Sequence, residues 1–163
     1  MDQAIDFKRS IQQAKKVAEG GDLSRAIALA DAVLAKYPYE QDGWMLRSAL
    51  FHLSKNYEQA LDDVKRAIKM NPFDSFLHYT HGWMVYELTR YDEAANYFSK
   101  AIDLYGVHRN DGYSEGLHFM RAEAFLKLGD REAALTDLCF VSDRFQSWSI
   151  SQRSKQDLVD ECK

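Results

Sequence analysis

Small and apolar positions along the chain return every 34 residues. Ala26, Ala60 and Ala94 share one phase of this period, Leu23, Tyr57 and Tyr91 a second, and Val33, Ala67 and Ala101 a third. Pro38 and Pro72 mark the same interval, and one further step lands on Gly106, another residue that stops helices. Between these stops the apolar residues keep helical spacing: Phe76, Tyr79, Trp83 and Tyr86 are 3, 4 and 3 residues apart, a single helical face. Two prolines and eight glycines in the whole chain leave room for long helices. The pattern predicts helices over about 2–19, 23–36, 40–53, 57–70, 74–87, 91–104, 114–128, 131–145 and 149–161. Asp22, Asn56 and Asp130 fall where N-caps belong, with Gly20, Gly21 and Gly129 in the turns before them.

The residue types agree with the spacing. From Asp42 to Pro72 the chain carries Trp44, Ser48, Phe51, Ala60, Val64, Ala67 and Pro72, in an order that resembles the tetratricopeptide-repeat (TPR) pattern. Gly82, Val85, Ala94, Phe98 and Ala101 repeat it, as do Ala14, Val17, Ala26, Ala30, Val33 and Pro38 in a degenerate first copy. Ala122, Phe125, Ala134, Leu138 and Val141 form a fourth copy offset by 40 residues, with the surplus assigned to the polar stretch from Gly106 to Ser114. The resemblance implies an all-α fold: a right-handed TPR superhelix of four helix-turn-helix repeats plus a C-terminal capping helix. One domain is expected over 1–163, with repeats at about 7–40, 41–74, 75–108 and 115–148 and the cap at about 149–161. Small residues at Ser48, Gly82 and Ala122 are expected to meet Ala60, Ala94 and Ala134 where paired helices approach closely. The tail offers Trp148, Ile150, Leu158, Val159 and Cys162 as the apolar stripe of the cap, while Arg153, Lys155, Gln156, Asp160 and Glu161 stay wet.

In TPR arrays the first helix of each pair lines the concave surface. Carried over residue by residue, this implies partner-binding positions at Met45, Ala49 and His52, at Phe76, Tyr79, Trp83 and Tyr86, and at Phe119 and Glu123, with Leu126 beside them. The first repeat would add Lys8, Ile11, Lys15 and Glu19. The aromatic stripe on the third of these helices exceeds what packing requires, because His78, Gly82 and Val85 already serve the interior face. Rigid aromatics with polar edges suit binding hot spots. A last helix folded back, or a tightly wound array, would bury the same rings, so a groove and a covered face both remain open. The Lys, Asn and Arg clamp by which some TPR domains hold chaperone tails is not matched: Ile11, Lys15, Ala49, Phe76 and Thr80 stand there.

Charge and composition narrow the function classes. The net charge is -4 with both signs interleaved, so no basic stripe exists for nucleic acid. Met1 to Ser10 holds no apolar run, and no stretch of about 18 apolar residues occurs anywhere, so neither a secretory signal nor a membrane association is expected. Cys139 and Cys162, outside any CxxC pattern, read as reduced, mostly buried thiols of a cytoplasmic protein. His78 and His81 could share a metal by spacing, but both occupy packing positions and no third ligand is evident. The pairs Asp62/Asp63 and Asp92/Glu93 read as solvated faces of second helices. No enzyme signature, metal or cofactor is expected.

These readings converge on a non-catalytic scaffold that binds a protein or peptide segment in a concave, aromatic-rich groove. A small, free-standing, bacterial-type TPR protein of this kind would have the role of occupying its partner. Two alternatives stay open. One is a TPR chaperone or immunity protein that sequesters a secreted effector or toxin. The other is a homo-oligomeric assembly module, such as a homodimer.

Overall fold

The computed structural model describes residues 2–106, 112–145 and 153–163. Among these residues the chain is all-α, and its contacts divide it into two compact units, Met1–Pro72 and Phe73–Lys163. The division falls at the second of the two period-marking prolines.

The first unit holds α1 (Asp2–Glu19), α2 (Leu23–Lys36), α3 (Gln41–Leu53) and α4 (Tyr57–Met70). Ala14, Ala26, Ala30, Leu46 and Leu50 form its buried centre, with Ile11, Val17 and Ile27 packed around them. Burying methyl groups here, not propensity alone, holds such short helices in place. Ser48 does the work expected of a small residue, and its hydroxyl also donates to the Ala60 carbonyl at 2.9 Å, so the close approach leaves no orphaned polar group. At the open end, the Asp6 carboxylate accepts from the Tyr37 hydroxyl at 2.6 Å and pairs with Lys36, tying α1 to α2.

The second unit holds α5 (Ser75–Glu87), α6 (Tyr91–Tyr105), α7 (Gly112–Leu128), α8 (Arg131–Leu138) and α9 (Lys155–Glu161). Gly82 sits where α5 and α6 touch: a Cβ there would meet the Phe98 ring at 2.9 Å and the Tyr97 Cβ at 3.2 Å. The atoms nearest to that position belong to Phe98 and Tyr97.

The turn inside each helix pair is built alike. Gly21, Lys55, Thr89 and Gly129 all have positive φ, at 87°, 62°, 60° and 81°. The residue after each donates its N–H back to the preceding helix: Asp22 to Val17, Asn56 to Phe51, Arg90 to Val85 and Asp130 to Phe125. This is the Schellman closure, which satisfies a carbonyl at each helix end. Asp22 and Asp130 then cap the next helix, accepting from the N–H of Arg25 and of Ala133. Asn56, expected to do the same, makes no side-chain cap hydrogen bond and donates to Ser54 Oγ instead.

Helix pairs are also clasped across their faces at one recurring position. Arg47 on α3 donates through Nε and Nη2 to the two oxygens of Asp63 on α4, each at 2.7 Å. Arg121 on α7 grips Asp137 on α8 in the same bidentate way, at 2.8 and 2.6 Å. In the intervening repeat the equivalent residues are His81 and Tyr97, whose rings stack at 3.7 Å. Asp63 is thus not part of a solvated face: it is 2% exposed, because Arg47 supplies the donors that water would have supplied. Asp62 and Asp92 are exposed as expected.

Two boundaries differ from the sequence reading. Helix α8 ends at Leu138 instead of running to about 145. Beyond it the chain turns, with Glu115 of α7 accepting from both the N–H and the hydroxyl of Ser142, and this path lets both Val141 and Phe145 be buried. The last helix begins at Lys155; Trp148 and Ile150, and the loop residues 107–111, lie outside the described residues. Cys139 is exposed rather than buried, and Cys162 is half-buried.

Candidate functional site

Helix α5 is apolar on two faces. Leu77, His78, His81, Gly82, Met84 and Val85 are buried. The other face carries the aromatic stripe, in which Phe76 is 54% exposed while Tyr79, Trp83 and Tyr86 are half-buried. Asp74 starts the helix by accepting from the Phe76 N–H, which fixes where the stripe begins.

The rings are seated, not loose. Tyr79 lies 6.0 Å from Phe98 and 6.0 Å, edge-on, from Tyr113. Tyr113 also meets Tyr105 edge-on at 4.6 Å, and its hydroxyl lies 3.1 Å from Ser75 Oγ, which donates to the Ala101 carbonyl. Tyr86 packs edge-on against Tyr91 at 5.2 Å. Burial pushes the Tyr79 and Tyr86 phenols above their ordinary range, and the negative charge of Glu123 adds to the shift. Tyr113 is raised by burial as well, against a lowering contribution from its Ser75 hydrogen bond.

On α7 the expectation meets a correction. Phe119 is 0% and Glu123 1% exposed, so neither is a surface contact in this conformation. Phe119 packs against Phe145 at 5.3 Å, and Glu123 has the Arg153 guanidinium at 3.9 Å. Leu126 is buried too. The last helix, α9, packs on α7 and α8, with Leu158 fully enclosed. Arg153, expected to stay wet, has a side chain only 21% exposed and forms an ion pair with Glu161 as well.

In the first unit Ala49 is exposed, while Met45 and His52 are half-buried, His52 standing edge-on to Tyr57 at 5.4 Å. Lys8, Lys15 and Glu19 are exposed, and Ile11 belongs to the core cluster. The sequence reading missed Tyr113 and Arg153. Tyr113 had a signal, since it stands at the register position of Tyr39 and Phe73, which are 89% and 79% exposed. Arg153 had none, because its role depends on where the tail lands.

No group of three or more His, Cys, Asp or Glu suited to a metal occurs among the described residues. His78 and His81 are buried against Tyr97, at 6.1 and 3.7 Å between rings. A shallow cleft of about 470 Å³ lies beside Arg121, Phe125, Asp130 and Thr136, but its guanidinium and the Asp137 carboxylate are spent on each other. No helix among the described residues is long and apolar enough to cross a membrane.

Comparison with known proteins fits this architecture. A tetratricopeptide-repeat family model matches residues 11–75. Anaphase-promoting complex subunit 3 of Schizosaccharomyces pombe is 27% identical over 93 residues, which make up 57% of this chain and 14% of that protein. The chain therefore spans about a seventh of the curated relative it matches. Among solved structures, MamA superposes with a TM-score of 0.71 at 15% identity, over 85% of this chain and 73% of the other. MamA from Desulfovibrio magneticus RS-1 gives 0.68 at 20% identity, over 82% and 72%. PilW, a type IV pilus biogenesis factor, gives 0.69 at 20% identity, over 82% and 59%. At these identities the structural likeness speaks to fold alone.

Proposed function

We propose that the chain, whose residues 11–75 match a tetratricopeptide-repeat family model, is a non-catalytic scaffold that holds a segment of another protein against the aromatic face of α5. One observation carries this reading. Helix α5 already buries one complete face, yet presents a second made of Phe76, Tyr79, Trp83 and Tyr86, with Phe76 more than half exposed. Edge-on contacts with Tyr113 and Tyr91 hold Tyr79 and Tyr86 in position before any partner arrives, so little side-chain entropy is lost on binding. Tyrosine and tryptophan bring large contact areas and a polar edge, the combination on which hot spots depend. Met45, Ala49 and His52 of α3 are proposed as partner contacts of the first unit by itself. A peptide or helix with apolar or aromatic side chains suits this face better than an acidic tail. The S. pombe relative, itself a subunit of a complex by name, is in keeping with such a role.

Affinity capture with the wild-type chain and with a Phe76→Ser/Trp83→Ala variant tests the proposal. Tyr79 is left intact because its packing on Phe98 and Tyr113 makes it part of the core as well. The expected outcome is selective loss of one captured protein with helicity unchanged. Identical captures from both would overturn the assignment of this face, and capture of the chain itself alone would replace it with self-assembly.

A further inference from the structure

The C-terminal helix packs on α7 and α8. Leu158 is its one fully buried side chain, while Val159 and Cys162 are half-buried. Arg153, just ahead of the helix, directs its guanidinium at Glu123, a carboxylate 1% exposed on α7. Burying a carboxylate is costly without opposite charge or hydrogen bonds, so this face favours an occupant that brings a cation. The hydroxyl of Tyr86 on α5 feels Glu123, Arg153 and Glu161 together, so α5, α7 and the tail converge electrostatically on one place.

The attachment is slight. Helix α9 has seven residues, and its other ties, such as Lys155 to Asp143 at 2.9 Å, involve exposed carboxylates and contribute little. Its helical form is secured from within by a capping box, in which Ser154 accepts from the Asp157 N–H and Asp157 accepts from the Ser154 N–H. A segment organised by its own cap, with a single enclosed side chain, can leave while the rest of the unit stays folded.

We propose that α9 is an internal occupant of a helix-docking site on α7, and that this site accepts in trans a short amphipathic helix that carries an aliphatic residue for the place of Leu158 and is preceded, just ahead of its N-cap, by a basic residue for Glu123. The partner's helix and α9 then exclude one another, and binding requires release of the tail. This rests on the scaffold role proposed above but uses different residues.

The test employs the full-length chain and a fluorescently labelled peptide of its own residues 153–163. Leu158→Asp should expel α9, because a buried leucine is replaced by a charge; circular dichroism checks that the remaining helices persist. Loss of one buried leucine anchor should raise the accessible fraction of the site about 10- to 100-fold. The peptide should accordingly bind Leu158→Asp at least about tenfold more tightly than wild type, and Glu123→Gln added to that variant should weaken it again. Arg153→Glu, made at a partly exposed residue, gives a second route to release. Equal binding to wild type and variants, binding to none, or binding indifferent to Glu123→Gln would overturn the proposal. So would a wild-type dimer that exchanges α9 between copies. Failure here together with loss of capture by Phe76→Ser/Trp83→Ala would leave the scaffold role standing and reduce α9 to a plain cap.

Discussion

Thr89 and Lys55 occupy backbone positions that their neighbours in the repeat series fill with glycine. Gly21 and Gly129 adopt positive φ without penalty, whereas Thr89 at 60° places a β-branched side chain in the left-handed region, at a cost of about 1–2 kcal/mol. Thr89 is exposed, so removing its side chain forfeits no core packing. Thr89→Gly should therefore stabilise the chain by about 0.5–1 kcal/mol, the relief of strain exceeding the added freedom of the unfolded state. A urea midpoint that falls instead would show that the turn holds threonine for another reason. The four turns share one Schellman closure even though their residues differ, so geometry is repeated more faithfully than sequence. The Arg–Asp clasps tell the same story: His81 stacked on Tyr97 fills in the third repeat the place that a bidentate ion pair fills in the second and fourth.

Helix α5 is tightly constrained on its inner face. Its inner face is set by the approach to α6 at Gly82, where any Cβ would lie 2.9 Å from the Phe98 ring. Gly82→Leu should push the two helices apart and cost about 1–3 kcal/mol or more, measured by chemical denaturation. A neutral result would mean that the pair can slide, contrary to the close-packed interface described. On its outer face Tyr79 and Tyr86 serve packing in part, while Phe76 stays more than half exposed, and it is this exposed aromatic surface that calls for a functional account. Helix α9 stands at the opposite extreme, with one enclosed side chain and a self-contained cap. It closes over α7 but is the element most easily lost.

Across the molecule the tyrosines set the response to alkali. Tyr79, Tyr86, Tyr97 and Tyr113 are held above the ordinary phenol value of 10.0 chiefly by burial, and Tyr37 chiefly by its hydrogen bond to Asp6. A group raised in the folded state contributes stability that is complete below its unfolded value and is lost as pH climbs past it. Stability should therefore decline above about pH 10, as unfolded tyrosines ionise and folded ones resist. These five rings should lag in a titration followed by phenolate absorbance at 295 nm. All nine tyrosines titrating together near 10 would contradict the packing described for α5 and α6. Asp6, Asp143, Asp157 and Asp160 are lowered by hydrogen bonds or ion pairs, yet all four sit at the surface, where solvent screens the gain, so these four should add little stability that acid could remove.

The sequence by itself determined the repeat, the spans of the first seven helices within a few residues, the all-α class and the doubly apolar character of α5. Those properties are local or periodic: a 34-residue interval, helix stops and side-chain spacing can be read without knowing what touches what. Only the tertiary structure decided which charged and aromatic residues are covered. Asp63 looked like part of a solvated pair until Arg47 reached it, and Phe119 and Glu123 looked like groove residues until Phe145, Arg153 and α9 closed over them. The early end of α8 had the same origin, in Glu115 capturing Ser142 from 27 residues away. Burial depends on the arrival of a second segment of chain, and neither periodicity nor residue type records where that segment will land.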